Sequence, residues 1–343
     1  MHDLLEGVVQ QIIKLVLQVY IKDKKYFDCD TFNNRVKLFE YGFTEKRDKP
    51  SSNFSPARLD DKGNKIKQTA AQTWVLLRVF PFIVNGCIPN DDPYMSLIIS
   101  LLKITYVAFF TISTFEMIHE MDMNVQLLHN AFKELFPGKT PINKMHHISH
   151  YARNSRYTTN QSEFSCMRFE ALNKLPKDQM RNSQNFKNVP LSIAKRLNLK
   201  QVTAMIDRTF SQRADILSLA IVNKTDAPLR AYLADLPTNL NSINRLSIDG
   251  IHFRTDVILK YEDDTKNFGV IVAIYYAYEK FYFLIRKLVT VYFEEKFNSF
   301  NVQDTSVIIL LEEQAVYKRK TYSLWTPFQS EKIYISMQYY DEF

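Results

Sequence analysis

The hydrophobic period of this chain changes near Pro228, and that change constrains the fold more than any other feature. Up to that point apolar residues recur mostly at steps of three and four. From Ser247 onward the runs turn β-branched, aromatic and partly alternating. Helices followed by consecutive strands read as an α+β chain rather than a wound α/β one. We divide it into a helical region 1–222, a linker 223–245 and a small all-β domain 246–343. The apolar share, 46%, is ample for real cores.

Residues 3–21 predict an amphipathic helix, with Leu5, Val8, Ile12, Val16 and Val19 on one face. Residues 45–70 are polar, charged and proline-containing, which predicts a solvated loop or a disordered one. A helix resumes at 71–86 around Trp74, Leu77 and Phe80, with Pro81 bending or breaking it. Asp92 then reads as an N-cap with Pro93 at the first helical position. The helix from there runs through Phe132 and Leu135 and stops at Pro137-Gly138. Its stretch Leu97–Ile112 is apolar enough to raise the question of a membrane span. Lys103 sits in its middle, and an insertion cost of roughly 3 kcal/mol for a central lysine argues for a buried bundle helix instead. No membrane partner is expected.

His146, His147 and His150 cluster, and imidazole suits zinc, but no nearby cysteine or acidic pair completes four ligands. Structural histidines are the favoured reading. Residues 163–175 predict a helix with Phe164, Met167, Ala171 and Leu175 on its apolar face, ended by Pro176. Glu170 stands at the edge of that face; a lone carboxylate there is ordinarily just solvated. Residues 189–220 read as helical again. In the tail, Asp249-Gly250 is a hairpin signal, and short strands follow at 253–259, 268–276, 281–288, 306–311 and 332–337. That many short strands point to a small closed barrel of SH3-like or bromo-adjacent-homology-like type.

Only seven glycines are present, and no Gly-rich phosphate loop or dinucleotide fingerprint occurs. Cys29, Cys87 and Cys166 are far apart and odd in number, which fits a reducing compartment rather than disulfides or a cysteine zinc site. Acidic Asp3 and Glu6 stand where a signal peptide would be basic, so secretion is not expected. The formal charge of +7 gives weak support for a nucleic-acid partner.

Four segments fall in a telling order: Met1-His2-Asp3-Leu4-Leu5-Glu6-Gly7-Val8, then His146-His147-Ile148-Ser149-His150-Tyr151, then Met167-Arg168-Phe169-Glu170-Ala171, then Asn185-Phe186-Lys187-Asn188. In this order and rough spacing they resemble the C-terminal half of CACTA-type (En/Spm-like) transposases. The resemblance covers residues 1–200 closely and 245–343 loosely. It implies an RNase H-like nuclease core, of which this chain would hold a helical insertion and the last helix, with most of the core sheet missing. It implies Glu170 as the last of three acidic metal ligands and His2 as a second catalytic position.

Two-metal DNA cleavage needs several converging carboxylates, and the two other acids would lie upstream of His2. By resemblance, then, the intact family uses Mg²⁺, and this chain is expected to hold no cofactor of its own. Two residues depart from the pattern: Asn173 replaces a histidine three places after Glu170, and Ala152 replaces a proline. Asn cannot titrate near neutrality as His does.

The resulting expectation is a catalytically incomplete, transposase-derived protein, nuclear or cytoplasmic, that binds DNA weakly and without sequence preference. Arg168, Lys187, Lys195 and Arg196 are its candidate nucleic-acid contacts. Three other readings stay open: a decayed fragment, a subunit of a split transposase, and a membrane or scaffold protein. Without the nuclease sheet, the helix at 93–118 is expected to lack cover, so self-association or a protein partner follows. The tail 246–343 is expected to fold independently.

Overall fold

The computed structural model describes residues 2–110, 114–158, 174–183, 187–206, 214–223, 239–248, 250–261 and 267–335. Helices precede strands, and the protein is α+β. The first helix, α1 (Val9–Gln18), is flanked by π-helical turns at Leu4–Val8 and Val19–Asp23. The apolar face read from its period is buried, but so are Leu4, Val9, Ile13, Leu17 and Tyr20, so packing surrounds the helix on most sides.

That burial has a consequence for its polar residues. Gln10 and Lys14 are buried too, and buried polar groups need partners. Gln10 Nε2 donates to the Gln68 carbonyl at 3.1 Å, and its Oε1 accepts from the Ile66 amide at 3.1 Å. Lys14 Nζ donates to the Gly63 carbonyl at 2.6 Å and to the Asp61 carboxylate. Phe54, Leu59 and Ile66 add apolar anchors. The segment 45–70 is therefore an ordered strap across α1, which corrects the solvated or disordered loop read from composition.

Next come α2 (Cys29–Leu38), capped by Asp28, and the short α3 (Pro56–Asp60). The following helix, α4 (Ala70–Val84), opens with a capping box between Thr69 and Gln72 and continues straight through Pro81. An interior proline costs roughly 3 kcal/mol. Burial of the whole run Val75–Val84 outweighs it.

As expected, Asp92 caps α5 (Pro93–Phe109): its carboxylate accepts from the Tyr94 and Met95 amides, and also from the Tyr20 hydroxyl at 2.5 Å. The long helix expected through Leu135 is two helices. Thr114 caps α6 (Phe115–Leu135) afresh. Short helices α7 (Asn143–Ile148) and α8 (Tyr151–Tyr157) follow, then α9 (Lys174–Ser183) and α10 (Val189–Ile206). Pro176 lies in the first turn of α9, where its missing amide hydrogen would be unpaired anyway, so it does not end a helix.

Residues 214–220, read as helix, belong to β1 (Ala214–Asn223), and β1 pairs antiparallel with β2 (Asn239–Ile248). The described parts of the expected linker 223–245 thus lie in strands. β2 pairs with β3 (Ile251–Arg254), with Ile248 opposite Ile251 and Gly250 between them at a φ of 81°; Asp249 lies outside the described residues. The sheet continues with β4 (Ile258–Tyr261), β5 (Asn267–Ala277), β6 (Lys280–Glu294), β7 (Ser299–Glu312), β8 (Val316–Tyr322), β9 (Leu324–Trp325) and β10 (Ile333–Ile335).

Its main order is β1-β2-β5-β6-β7-β10-β9, all antiparallel in their described pairings, with β3 on β2 and β4 bridging β5 and β8. The register splits along one edge of β5: residues 274–276 pair with β2, residues 268–270 with β4. Among the described residues β1 and β9 do not pair, so the sheet is a curled half-barrel where a closed barrel was expected.

The helices and part of the sheet share a core, while a second cluster, with Leu246, Phe253, Ile271, Phe283 and Ile285, is built from the sheet alone. Phe82 on α4 stacks on Phe297 at 4.7 Å and meets Trp325 at 5.4 Å and Tyr334 at 5.9 Å. Beneath them Arg78 donates to Glu45 at 3.1 Å, with both side chains buried. The cluster runs continuously from Leu4 to Ile335. The face of α5 is buried against α6, α4 and α1, and part of the tail packs on the helices.

The lysine inside the apolar run also has a partner: Lys103 on α5 bonds Glu295 in the β6–β7 turn at 3.1 Å. At 17 residues α5 falls short of the roughly 20 needed to span a bilayer. The stretch Leu4–Asp23 is long and apolar enough, but it is mostly buried inside the protein.

Candidate functional site

Two of the segments on which the resemblance rests meet in space. The first turn before α1 carries His2, Asp3 and Glu6; α7 and the start of α8 carry Lys144, His146, His147, His150 and Tyr151. Asp3 is the junction. Its Oδ1 accepts from His147 Nδ1 at 3.1 Å, and its Oδ2 accepts from the Tyr151 hydroxyl at 3.4 Å. Burial, aided by the adjacent Asp3 charge, pushes the Tyr151 phenol well above its ordinary range, so it stays a donor. Lys144 Nζ donates to the His2 carbonyl at 2.6 Å. Its stem lies against Gly7, where any β-carbon would collide with it. A side chain there would force the lysine stem aside.

The histidines are committed to bonds. His2 Nδ1 donates to Glu6 at 2.7 Å. His146 and His150 face each other through their Nε2 atoms at 3.2 Å, with rings nearly perpendicular. One nitrogen of that pair must donate and the other accept. His129 on α6 bonds the Met145 carbonyl at 2.9 Å. Beside it lies a cavity of about 310 Å³ lined by His129, Phe132, Lys133, Ile142, Met145 and His146, among others.

A magnesium site needs several free oxygen ligands in octahedral array. Asp3 spends both oxygens on His147 and Tyr151, and Glu6 holds His2. Among the described residues no group of three or more His, Cys, Asp or Glu side chains is placed to hold a metal ion. Glu170, the carboxylate that the resemblance offers as a metal ligand, lies outside the described residues.

The sequence candidates divide. His2 sits in the junction just described. Glu170 and Arg168 lie outside the described residues, as does Asn173. Lys195 and Arg196 are exposed on α10, and Lys187 is exposed just before it. The sequence reading did not single out Asp3, Lys144 or Tyr151 as site residues. Asp3 and Tyr151 lie within segments that it quoted, but nothing in the sequence links them across 148 positions.

No protein-family model, curated protein or solved structure matches this chain.

Proposed function

We propose that this chain is a CACTA-type transposase relative that acts by binding, and that its residues alone do not cut DNA. The observation that carries the reading is the Asp3 junction. Segments 1–8 and 146–151, two of the motifs whose shared order suggested the family, pack together through His147–Asp3, Tyr151–Asp3 and Lys144–His2. Segments that form one unit in an ancestral enzyme are expected to stay in contact. On this reading the helices correspond to the insertion and final helix of an RNase H-like core, and the half-barrel to an SH3-like or BAH-like module. Glu170 is a remnant of the acidic set, and the protein works in the nucleus or the cytoplasm.

Binding would be electrostatic, through exposed Lys195 and Arg196 and the net positive charge. The test is incubation of purified protein with supercoiled plasmid and Mg²⁺ or Mn²⁺. The plasmid is expected to stay supercoiled. Nicking that the Glu170→Gln variant abolishes would overturn the reading.

A further inference from the structure

A cleft of about 840 Å³ opens where the 41–48 segment faces the β2–β3 hairpin and the β3–β4 turn, far along the chain from the histidine junction. One wall is Phe43, Lys46, Arg47 and Asp48; the other includes His252, Arg254 and Asp256. The wall is firmly built. Gly42 lies so close to Ser323 that a β-carbon would overlap it. Glu45, directly under the wall, is turned inward to Arg78 and Ser323. Its charge is therefore neutralised inside and does not offset the cations of the cleft.

Lys46 and Arg47 are exposed, and neither they nor Arg254 make an ion pair among the described residues. Arg254 Nε donates to the neighbouring Thr255 carbonyl at 3.3 Å, which leaves its charge unneutralised. Arg254 instead lays its guanidinium over the Phe43 ring, 4.8 Å from the centroid, and that ring is 39% exposed. Three cations face two carboxylates, Asp48 and Asp256. An exposed aromatic–guanidinium pair beside free cations is the combination that holds a flat base and its phosphate. The volume lies within the range of small-molecule sites.

We propose that this cleft binds a nucleotide, with the base against the Phe43–Arg254 pair and the phosphate on Lys46 and Arg47. The nucleotide's source is either a free nucleoside triphosphate or one unit of a single strand. This inference does not depend on the transposase reading.

The test uses the full chain with two probes, a fluorescent ATP analogue and a labelled dT₁₂ strand, followed by fluorescence anisotropy. Phe43→Ala is expected to weaken binding about tenfold with the salt dependence unchanged. Lys46→Gln combined with Arg47→Gln should weaken binding and lower the salt slope for dT₁₂ by about 1.4, at roughly 0.7 per phosphate contact. Binding of the ATP analogue alone assigns the free nucleotide; binding of dT₁₂ alone assigns the strand; either supports the site. Three results overturn it: no binding of either probe, affinity unchanged in both cleft variants, or equal displacement of the probe by polyglutamate. Lys195→Gln with Arg196→Gln on α10 separates the two ideas. If only that variant loses dT₁₂, the cleft is wrong while nucleic-acid binding stands.

Discussion

Arg78→Met tests how the helices and the sheet are joined. Arg78 on α4 bonds the buried Glu45 carboxylate, which also accepts from Ser323 Oγ at 2.8 Å next to β9. Its guanidinium lies 4.8 Å from the Trp325 ring and 5.5 Å from the Trp74 ring. At 3% and 1% exposure, neither charge has water to fall back on. Removing one partner of such a pair costs roughly 3–5 kcal/mol, because the other charge stays buried and unpaired. Loss of the cation–ring contacts adds about 1 kcal/mol.

With a urea slope of about 3 kcal/mol per molar, the midpoint should fall by 1 M or more. Tryptophan fluorescence reports this directly, since the chain's two tryptophans, one on α4 and one on β9, both flank Arg78. Arg78→Met with Glu45→Leu should be more stable than Arg78→Met alone, since no unpaired charge remains. A midpoint shift below 0.3 M, or a double variant no better than the single, would refute the reasoning.

Two further perturbations follow. Gly42→Ala drives a methyl into Ser323 and should cost about 1–3 kcal/mol; Ser323→Gly in the same chain should recover part of it in urea midpoints, and no recovery would mean that the clash is not the cause. Lys14, chiefly through its hydrogen bond, holds the Asp61 carboxyl below the usual carboxylate range. The folded value is depressed, so this stabilisation is complete above about pH 4 and is lost as pH falls through the folded value. Asp61→Asn should therefore destabilise the protein at pH 7, with the difference from the wild type shrinking as pH falls below about 4; a difference that does not shrink would contradict the assignment.

What the sequence disclosed were local rules. The cap at Asp92, the hairpin at Gly250 and the buried face of α1 each depend on residues within a few positions, and each is present. What it concealed depended on distant partners. The polar strap 45–70 looked solvated because its partners, Gln10 and Lys14, lie on the helix beneath it. Strand β1 looked helical because Ile216, Leu219 and Ile221 fit both periods at short length, and pairing with β2 decides. The packing of the half-barrel on the helices was not legible, because nothing near Phe297, Trp325 or Tyr334 names Phe82 as their neighbour. For the site, the motif order gathered the right segments, while Asp3 as their joint emerged only from the packing. Thr114, a competent cap inside an apolar stretch, was a readable helix break passed over for the longer pattern.

The most direct test of the functional account is affinity for a random-sequence DNA duplex measured at 50 mM and 200 mM salt. Non-specific electrostatic binding predicts that log affinity falls linearly with log salt, by about 0.9 per phosphate contacted, and that a scrambled duplex binds equally well. Affinity that ignores salt, or a sharp sequence-specific footprint at 200 mM, would contradict it.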